Sequence, residues 1–413
     1  LETCKYKASL MNNISADDVY MKAKQSFDFA PYKKVLSKEI DTAFEQVVNE
    51  PALGNDVTHT STTDNKLIDR EMTELTLSQN GTPSMDWELQ TMLGGHNGWI
   101  RCLQVDPVSN EWFASGSADS SVKIWTFDPN EQGRHLAATL QGHVMGVRDI
   151  EISVHNPYLF SCSEDKMIKC WDLENNQIIR DYHGHLSGVY CVVQHPSIDQ
   201  IIISGSRDST AKVWDVRSRS DVLTLVGHKQ AVNKVLAFPV EPQVVTCSND
   251  NTIRFWDLRN GGKPLKIITN HTKHVRDMAK NTQEFSFASC STNSIMSWAM
   301  PAGQLLTTFE PQPVKPVPNN TWQEEPLGVV NTLSVSAKNI LFAGTDSGDM
   351  VFYDYLSSQR LCQRSSIPYN NLNNTTEESD AGILTSSFDN SGNILLTGEV
   401  DKFIKIWRNI SVT

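Results

Sequence analysis

The 413-residue sequence has no long apolar run, no paired cysteine motif and no excess of basic residues. The absence of a sufficiently long apolar run excludes a transmembrane helix, and nothing at the start of the sequence resembles a signal peptide. The net charge of −12 argues against general nucleic-acid binding, because a phosphate backbone is bound by clustered Lys and Arg. A local contact with RNA is still compatible with this charge. Because the first residue is Leu1, the sequence is expected to begin inside a longer natural chain.

The eight cysteines stand apart from one another, and none forms a Cys-x-x-Cys pair. They are Cys4, Cys102, Cys162, Cys170, Cys191, Cys247, Cys290 and Cys362. Isolated cysteines beside Ser, Val or Ile predict free buried thiols in a reducing compartment. The glycosylation-type tripeptide Asn270-His271-Thr272 is then expected to occur by chance. We predict neither a cofactor nor a bound metal.

A short unit repeats along most of the chain. Gly-His pairs end at His96, His143, His185 and His228, Asn270-His271 is a fifth copy, and the steps are 47, 42, 43 and 43 residues. An aromatic residue closes each unit, and the seven are Trp125, Trp171, Trp214, Trp256, Trp298, Tyr353 and Trp407. This period is typical of WD40 repeats, in which each unit forms a four-stranded blade. We therefore predict an all-β fold, a seven-bladed WD40 β-propeller at residues 87–413.

A column of acidic residues fixes the register of the repeats. Asp119, Asp165, Asp208, Asp250 and Asp401 each stand six residues before the closing Trp, and Asn293 and Asp346 are expected to serve at shifted spacing. A buried His needs partners for both ring nitrogens, and a buried Trp needs an acceptor for its N–H. We predict that His, Asp, Trp and a strand hydroxyl satisfy one another within a blade. The predicted structural tetrads contain His96, Asp119, Trp125; His143, Asp165, Trp171; His185, Asp208, Trp214; and His228, Asp250, Trp256. One set per blade does not indicate a catalytic or metal site.

The last repeat lacks residues for an outer strand, since the sequence stops at Thr413 soon after Trp407. The segment from Trp87 to Leu93 precedes the first Gly-His pair and alternates like a strand. We predict that this segment completes the last blade, which removes an exposed sheet edge and closes the ring.

Several tracts are more specific than a generic WD repeat. They lie at 157–166, 169–174, 182–187, 206–211 and 213–217, and one reads Tyr182-His183-Gly184-His185-Leu186-Ser187. These tracts closely resemble the pleiotropic-regulator family of splicing WD40 proteins, over about residues 87–413 and most strongly in blades one to five. The resemblance implies a nuclear, non-enzymatic spliceosome subunit that is associated with the nineteen complex and is a monomer within that large assembly. It also implies docking of extended segments of splicing proteins, including a SKIP-like protein and a Cdc5-like Myb protein, and leaves open a contact with small nuclear RNA.

One column of residues is predicted to surround a mouth of the central channel. Five residues after each repeat His come Arg101, Arg148, Tyr190, Asn233 and Arg276, and Trp99 and Arg207 lie in the same loops. Arg and aromatic side chains dominate binding hot spots, so these seven residues are predicted to bind a partner. The alternative is that they are ordinary solvated loop residues. Guanidinium groups suit an acidic peptide or an RNA phosphate equally.

The segments outside the repeats are predicted to be less regular. Residues 1–86 are predicted as an N-terminal extension that is partner-docking or flexible. Apolar residues at Ile40, Ala43, Phe44, Val47 and Val48 favour a short amphipathic helix at 37–49, followed by a polar linker at 55–69. Two insertions, near 311–326 and 364–380, break the repeat period and are predicted to be mobile decoration, with a lineage-specific contact as the alternative.

Two other functional classes fit the sequence less well. Trp214-Asp215-Val216-Arg217 and Trp256-Asp257-Leu258-Arg259 match a motif of substrate receptors of cullin-type ubiquitin ligases, yet the motif is common in WD repeats. An enzyme is disfavoured because the chain has no Gly-x-Ser-x-Gly, no phosphate-binding Gly loop and no His-Glu-x-x-His. No catalytic residue is predicted.

Overall fold

The computed structural model describes residues 86–128, 135–218, 220–240, 243–292, 294–309, 328–366 and 382–410. Within these ranges, the regular elements are 28 strands and one 3₁₀ turn, Leu258–Asn260. The strands form seven four-stranded antiparallel sheets. The prediction of an all-β, seven-bladed propeller is confirmed.

Each sheet is a blade whose four strands occupy equivalent positions. The innermost strands are β2 (Ile100–Val105), β6 (Val147–Ile152), β10 (Val189–Gln194), β14 (Val232–Ala237), β18 (Val275–Lys280), β22 (Val330–Val335) and β26 (Ile383–Phe388). The second strands are β3 (Trp112–Ser117), β7 (Tyr158–Ser163), β11 (Ile201–Ser206), β15 (Val244–Ser248), β19 (Ser286–Ser291), β23 (Ile340–Thr345) and β27 (Ile394–Glu399). The third strands are β4 (Ser121–Thr126), β8 (Met167–Asp172), β12 (Thr210–Asp215), β16 (Ile253–Trp256), β20 (Ile295–Ala299), β24 (Asp349–Asp354) and β28 (Ile404–Asn409). The outer strands are β5 (Leu136–Gln141), β9 (Gln177–His183), β13 (Asp221–Val226), β17 (Pro264–Ile268), β21 (Gln304–Phe309), β25 (Arg360–Ser365) and, for the last blade, β1 (Trp87–Leu93).

The innermost strands form a closed ring around the channel. Each packs against the innermost strands of both neighbouring blades, and β2 packs against both β6 and β26. The second strands are buried on both faces because they lie between two other blades. At Gly205, the close packing leaves no room for a side chain, since an added Cβ would lie 2.6 Å from Cγ1 of Val232 in the next blade. The apolar core is therefore a series of clusters between adjacent blades.

The last blade combines strands from the two ends of the described chain. β1 pairs antiparallel with β28, from Trp87 opposite Asn409 to Leu93 opposite Ile404. The Trp87 side chain is 1% exposed and stacks on Phe352 of blade six at a centroid distance of 5.0 Å. β1 thus supplies both the outer strand of this blade and an aromatic anchor for its neighbour.

Some predictions fall outside the described residues: the helix at 37–49, the linker at 55–69, the insertion near 311–326, Asn293 and most of the second insertion. β25 extends to Ser365, so the strand runs into the region near 364 that was predicted to be an insertion. The seven cysteines within the described ranges are free, and all except Cys362 are buried. Burial raises the pKa of the Cys170 thiol to about 12. No helix in these ranges has the length and apolarity needed to cross a membrane.

Candidate functional site

Four blades contain a complete hydrogen-bonded tetrad. In blade two, His143 Nδ1 donates to Asp165 Oδ2 at 2.8 Å, while Ser161 Oγ lies 2.8 Å from both His143 Nε2 and Trp171 Nε1. The hydroxyl accepts from the indole and pairs with Nε2 of the imidazole, so both ring nitrogens of His143 and the Trp171 N–H have a partner. The other tetrads are His96, Asp119, Ser115, Trp125; His185, Asp208, Ser204, Trp214; and His228, Asp250, Thr246, Trp256. The four predicted sets are thus brought together in space, and their side chains are already satisfied.

The tetrads make the fold sensitive to acid. Burial alone would raise the pKa of Asp119, but hydrogen bonds from Ser121, Asn97 and His96 outweigh it and lower the pKa to about 2. The stabilisation from this carboxylate is fully present above its unfolded pKa of about 3.9 and is lost as the pH falls towards 2. We expect Asp119→Asn to destabilise the protein by about 2 kcal/mol at pH 4.5 and by less at pH 2.5. Urea unfolding at both pH values measures the loss of stability, and Asp128→Asn, at an exposed position, is the control. A loss in Asp119→Asn that is equal at both pH values would show that the Asp119 charge does not stabilise the fold.

Blades five and six depart from the tetrad. In blade five, His271 Nε2 lies 2.7 Å from Ser289 Oγ, and burial lowers the pKa of His271 to about 4. In blade six, the expectation that Asp346 replaces the tetrad acid is wrong. Gly344 pairs with Met350 as Gly116 pairs with Val122, so Ser347 and not Asp346 matches Asp119. Asp346 is exposed and accepts a hydrogen bond from Asn331 instead.

Blade seven contains a buried charge cluster in place of the histidine network. Lys405 Nζ donates to the Glu399 carboxylate and to Ser366 Oγ at 2.7 Å, and it lies 3.3 Å from Asp401 Oδ2. The side chains of Lys405 and Glu399 are both 0% exposed. Burial raises the pKa of Glu399 to about 7. The charge of Lys405 offsets this effect only in part, and the charge of Asp401 raises the pKa further. Asp401 therefore stands at its predicted position but is placed against a lysine.

The predicted mouth residues occupy the same structural position in each blade. Every innermost strand has a register shift at its second residue, where one residue is left over against the second strand. Such β-bulges redirect a side chain. The seven residues at the bulges, which we call the mouth ring, are Arg101, Arg148, Tyr190, Asn233, Arg276, Asn331 and Leu384. The first five match the predicted column, whereas Asn331 and Leu384 were not predicted because their repeats lack the Gly-His marker.

The mouth ring lines a single cavity of about 610 Å³, together with Trp99, Asn249 and His274. Six of the seven predicted partner-binding residues therefore meet at one place. Arg207 is the exception: it is exposed on the turn after β11 and is not among the residues lining this cavity. Its backbone N–H donates to Gly188 O at 3.0 Å, which holds it on the rim of the same face.

An unpredicted carboxylate organises the arginines of blades one and two. Glu164 Oε1 accepts from Arg101 Nη1 at 2.7 Å and from Arg148 Nε at 2.9 Å. Burial would raise the pKa of Glu164, but Arg148 and Arg101 outweigh it and lower the pKa. The Arg148 guanidinium also lies over the Tyr190 ring, 4.5 Å from its centroid. Two guanidinium groups sharing one carboxylate leave a net positive charge at this part of the mouth, with further N–H donors available.

The mouth residues of blades four to six are tied to one another. Asn233 Nδ2 donates to Asn249 Oδ1 at 2.7 Å and to Val275 O of the next blade at 2.6 Å. Arg276 donates to Asn331 Oδ1, and Asn331 Nδ2 donates to Ile383 O at 3.1 Å. These bonds join neighbouring blades, so this half of the ring has a structural use besides any contact with a partner.

Charged residues also lie deeper in the channel, below the mouth. Lys234 of blade four reaches past blade three to Asp149 of blade two, with Nζ 3.0 Å from Oδ2. Burial would lower the pKa of Lys234, but Asp149 and Asp277 outweigh it and raise the pKa. Burial raises the pKa of Asp277 itself. The Lys234–Asp149 pair ties non-adjacent blades together and narrows the channel. Within the described ranges, no group of three or more His, Cys, Asp or Glu residues could hold a metal ion.

Exposed apolar side chains flank the mouth on blades one to three. Trp99 is 49% exposed, Val144 84%, Met145 49% and Leu186 82%. They stand in the loops that lead into β2, β6 and β10, on the same face as the mouth ring. Exposed apolar side chains that lie on one face are a feature of interaction sites. The sequence places these residues directly after or near the repeat histidines, but their exposure depends on the packing of the loops.

Comparison with known proteins gives two kinds of match. Residues 87–126, 134–172, 176–215, 219–257 and 371–408 match the family described as WD domain, G-beta repeat. Curated proteins named pre-mRNA-splicing factor PRP46 are similar over nearly the whole chain. The protein from Candida glabrata is 41% identical over 96% of this chain and 93% of its own length. Those from Kluyveromyces lactis and Saccharomyces cerevisiae are 42% and 43% identical, covering 96% and 95% of this chain and 92% and 83% of their own lengths.

Proposed function

The chain belongs to the PRP46 family of WD40 pre-mRNA-splicing factors, and from this we propose that it is a non-catalytic scaffold subunit of the spliceosome. The family predicted from the sequence is thereby confirmed. The scaffold acts in the nucleus and binds extended segments of other splicing proteins, including SKIP-like and Cdc5-like Myb proteins. These partners are part of the proposal.

The mouth is the proposed docking surface. What supports it is the convergence of Arg101, Arg148, Arg276 and two aromatic side chains on one cavity with exposed apolar residues at its edge. Arg and aromatic residues in a partly desolvated pocket are the typical anchors of an interface. A carboxylate of the partner would join or replace Glu164 against the two guanidinium groups.

The test uses a double charge reversal, Arg148→Glu with Arg276→Glu, in cells depleted of the wild-type chain. We expect the variant to fold but to recover much less of the splicing proteins under mild salt, and introns to be retained. Lys263→Glu with Arg408→Glu, at exposed positions outside the cavity, is the matched control and should behave as wild type. Unchanged recovery with the Arg148 and Arg276 variant would reject the mouth as the docking surface. Normal splicing after depletion would reject the scaffold role.

RNA is the other ligand that the guanidinium groups could bind. Nuclease treatment before the recovery step separates the two ligands. Partner recovery that survives nuclease supports direct protein binding, and recovery lost with the RNA would point to a small nuclear RNA contact instead.

The ubiquitin-ligase alternative gains no support from the geometry of its motif. Arg217 pairs with Asp215 of its own turn at 3.0 Å. In the second copy, the Arg259 backbone N–H donates to Asp257 Oδ1 at 2.9 Å. Both motifs thus form local turns after the third strand of a blade.

A further inference from the structure

A groove between blades one and two opens on the face of the ring opposite the mouth. Its residues come from the loop between β2 and β3, from the loop between β6 and β7, from the turn after β8, and from adjoining parts of the strands of both blades. Arg101 and Arg148 stand at the beginnings of β2 and β6, whereas these loops follow the ends of the same strands. The groove has a volume of about 570 Å³, which lies in the range of ligand pockets. Because its loops lie at the opposite ends of these strands, the groove is separate from the mouth and does not depend on the proposed function.

The floor of the groove is apolar. Trp112, Ile124 and Leu173 are partly buried and pack against the apolar core between blades one and two. At the edge, Val108 is 66% exposed and Val154 is 51% exposed. Apolar surface therefore continues from the core out to solvent, and covering it would release water from both the floor and the edge.

The polar residues of the groove are acidic or neutral. Glu111 and Glu174 are exposed at its edge, and among the described residues the groove is lined by no Lys or Arg. His155 lies 3.4 Å from Asp199, so its ring already has an acidic neighbour. The Ser153 side chain is 5% exposed, and its hydroxyl has no hydrogen-bond partner within the described part of the chain.

We propose that this groove binds a short apolar segment of a partner protein that carries Lys or Arg on its flanks. The apolar side chains of the segment pack on Trp112, Ile124 and Leu173, and its basic residues pair with Glu111 and Glu174. A nucleic acid does not fit, because its phosphates would face two carboxylates with no Lys or Arg among the described lining residues.

The experiment selects short random peptides displayed on phage against the immobilised full chain. We expect enrichment of peptides with paired apolar residues flanked by Lys or Arg, and binding of a labelled enriched peptide is then measured by fluorescence anisotropy. Val154→Asp, and separately Glu111→Lys with Glu174→Lys, should each weaken that binding at least about tenfold. Glu284→Lys, an exposed charge reversal in the equivalent loop of blade five, should leave the affinity unchanged. Arg148→Glu with Arg276→Glu should also leave it unchanged.

Peptides that bind equally well to Val154→Asp would overturn the proposal. A selection that yields no peptide whose binding depends on the groove would also overturn it. Val108→Asp is a second variant at a more exposed position, and circular dichroism identifies any variant that does not fold. Because the mouth variant is included, failure of the groove and failure of the mouth give different results.

Discussion

Replacing Lys405 with Met is expected to lower the free energy of unfolding by about 3–5 kcal/mol, since breaking a buried ion pair from one side leaves an uncompensated charge. Lys405 and Glu399 are both fully buried, and Asp401 lies beside them. Without the ammonium group, burial and Asp401 would move the pKa of Glu399 above its present value of about 7. Urea unfolding of the purified chain measures the loss.

The pH dependence distinguishes this charge effect from a packing defect. A carboxyl whose folded pKa is raised destabilises the protein above that pKa, and the penalty disappears as the pH falls towards the unfolded value of about 4.3. The loss in Lys405→Met should therefore be smaller at pH 5 than at pH 8. The double variant Lys405→Met with Glu399→Gln should recover most of the stability. Lys212→Met, which breaks a more exposed pair with Asp221, is the control and should cost about 1 kcal/mol or less. A loss that is equal at both pH values, with no recovery in the double variant, would show that packing dominates.

Trp171→Ala is expected to destabilise the protein by about 3–5 kcal/mol. Trp171 is 2% exposed and fills the core between blades one and two, where Ala114, Val122 and Ile150 are buried. The substitution leaves a cavity in this core and removes the indole N–H that donates a hydrogen bond to Ser161 Oγ. Thermal or urea unfolding gives the change directly.

Two further substitutions separate volume from hydrogen bonding. Trp171→Phe retains most of the apolar volume and should cost clearly less than the alanine variant, because Ser161 still bonds to His143. Trp99→Ala, at a tryptophan that is 49% exposed, should change stability by about 0.5 kcal/mol or less. A Trp171→Ala variant as stable as Trp99→Ala would refute the role of Trp171 as a core anchor.

The fold was predictable because the features that specify it repeat. A buried Trp in each of six blades and a buried His–Asp pair in four are requirements of the core, so they recur at fixed spacing and can be read from one sequence. The same register located Arg101, Arg148, Tyr190, Asn233 and Arg276. It failed where the marker is missing: Asn331 and Leu384 occupy the same bulge, but no Gly-His pair precedes them.

The errors and omissions concern contacts between distant parts of the chain. Glu164 was not predicted because its partner Arg101 lies in another blade, and only the packed ring brings the two together. Asp346 was misassigned because the presence of an acidic residue in a turn does not reveal which residue of that turn faces the core. Arg207 lies in the expected loop, yet it is exposed on the turn after β11 and does not line the cavity. Side-chain pairing across blades is a property of the assembled ring and leaves little local signal.

The pairing of β1 with β28 has a consequence for synthesis on the ribosome. Blades one to six can each form once their own four strands have been made, since their strands are consecutive in the chain. The last blade cannot, because Trp87 is among the first propeller residues to emerge and its partner Asn409 is among the last. Throughout elongation, the nascent chain carries an unpaired strand and an uncovered indole, which is the kind of surface that aggregates or recruits chaperones. A ribosome that stalls before β28 therefore releases an open arc of blades with two unprotected edges.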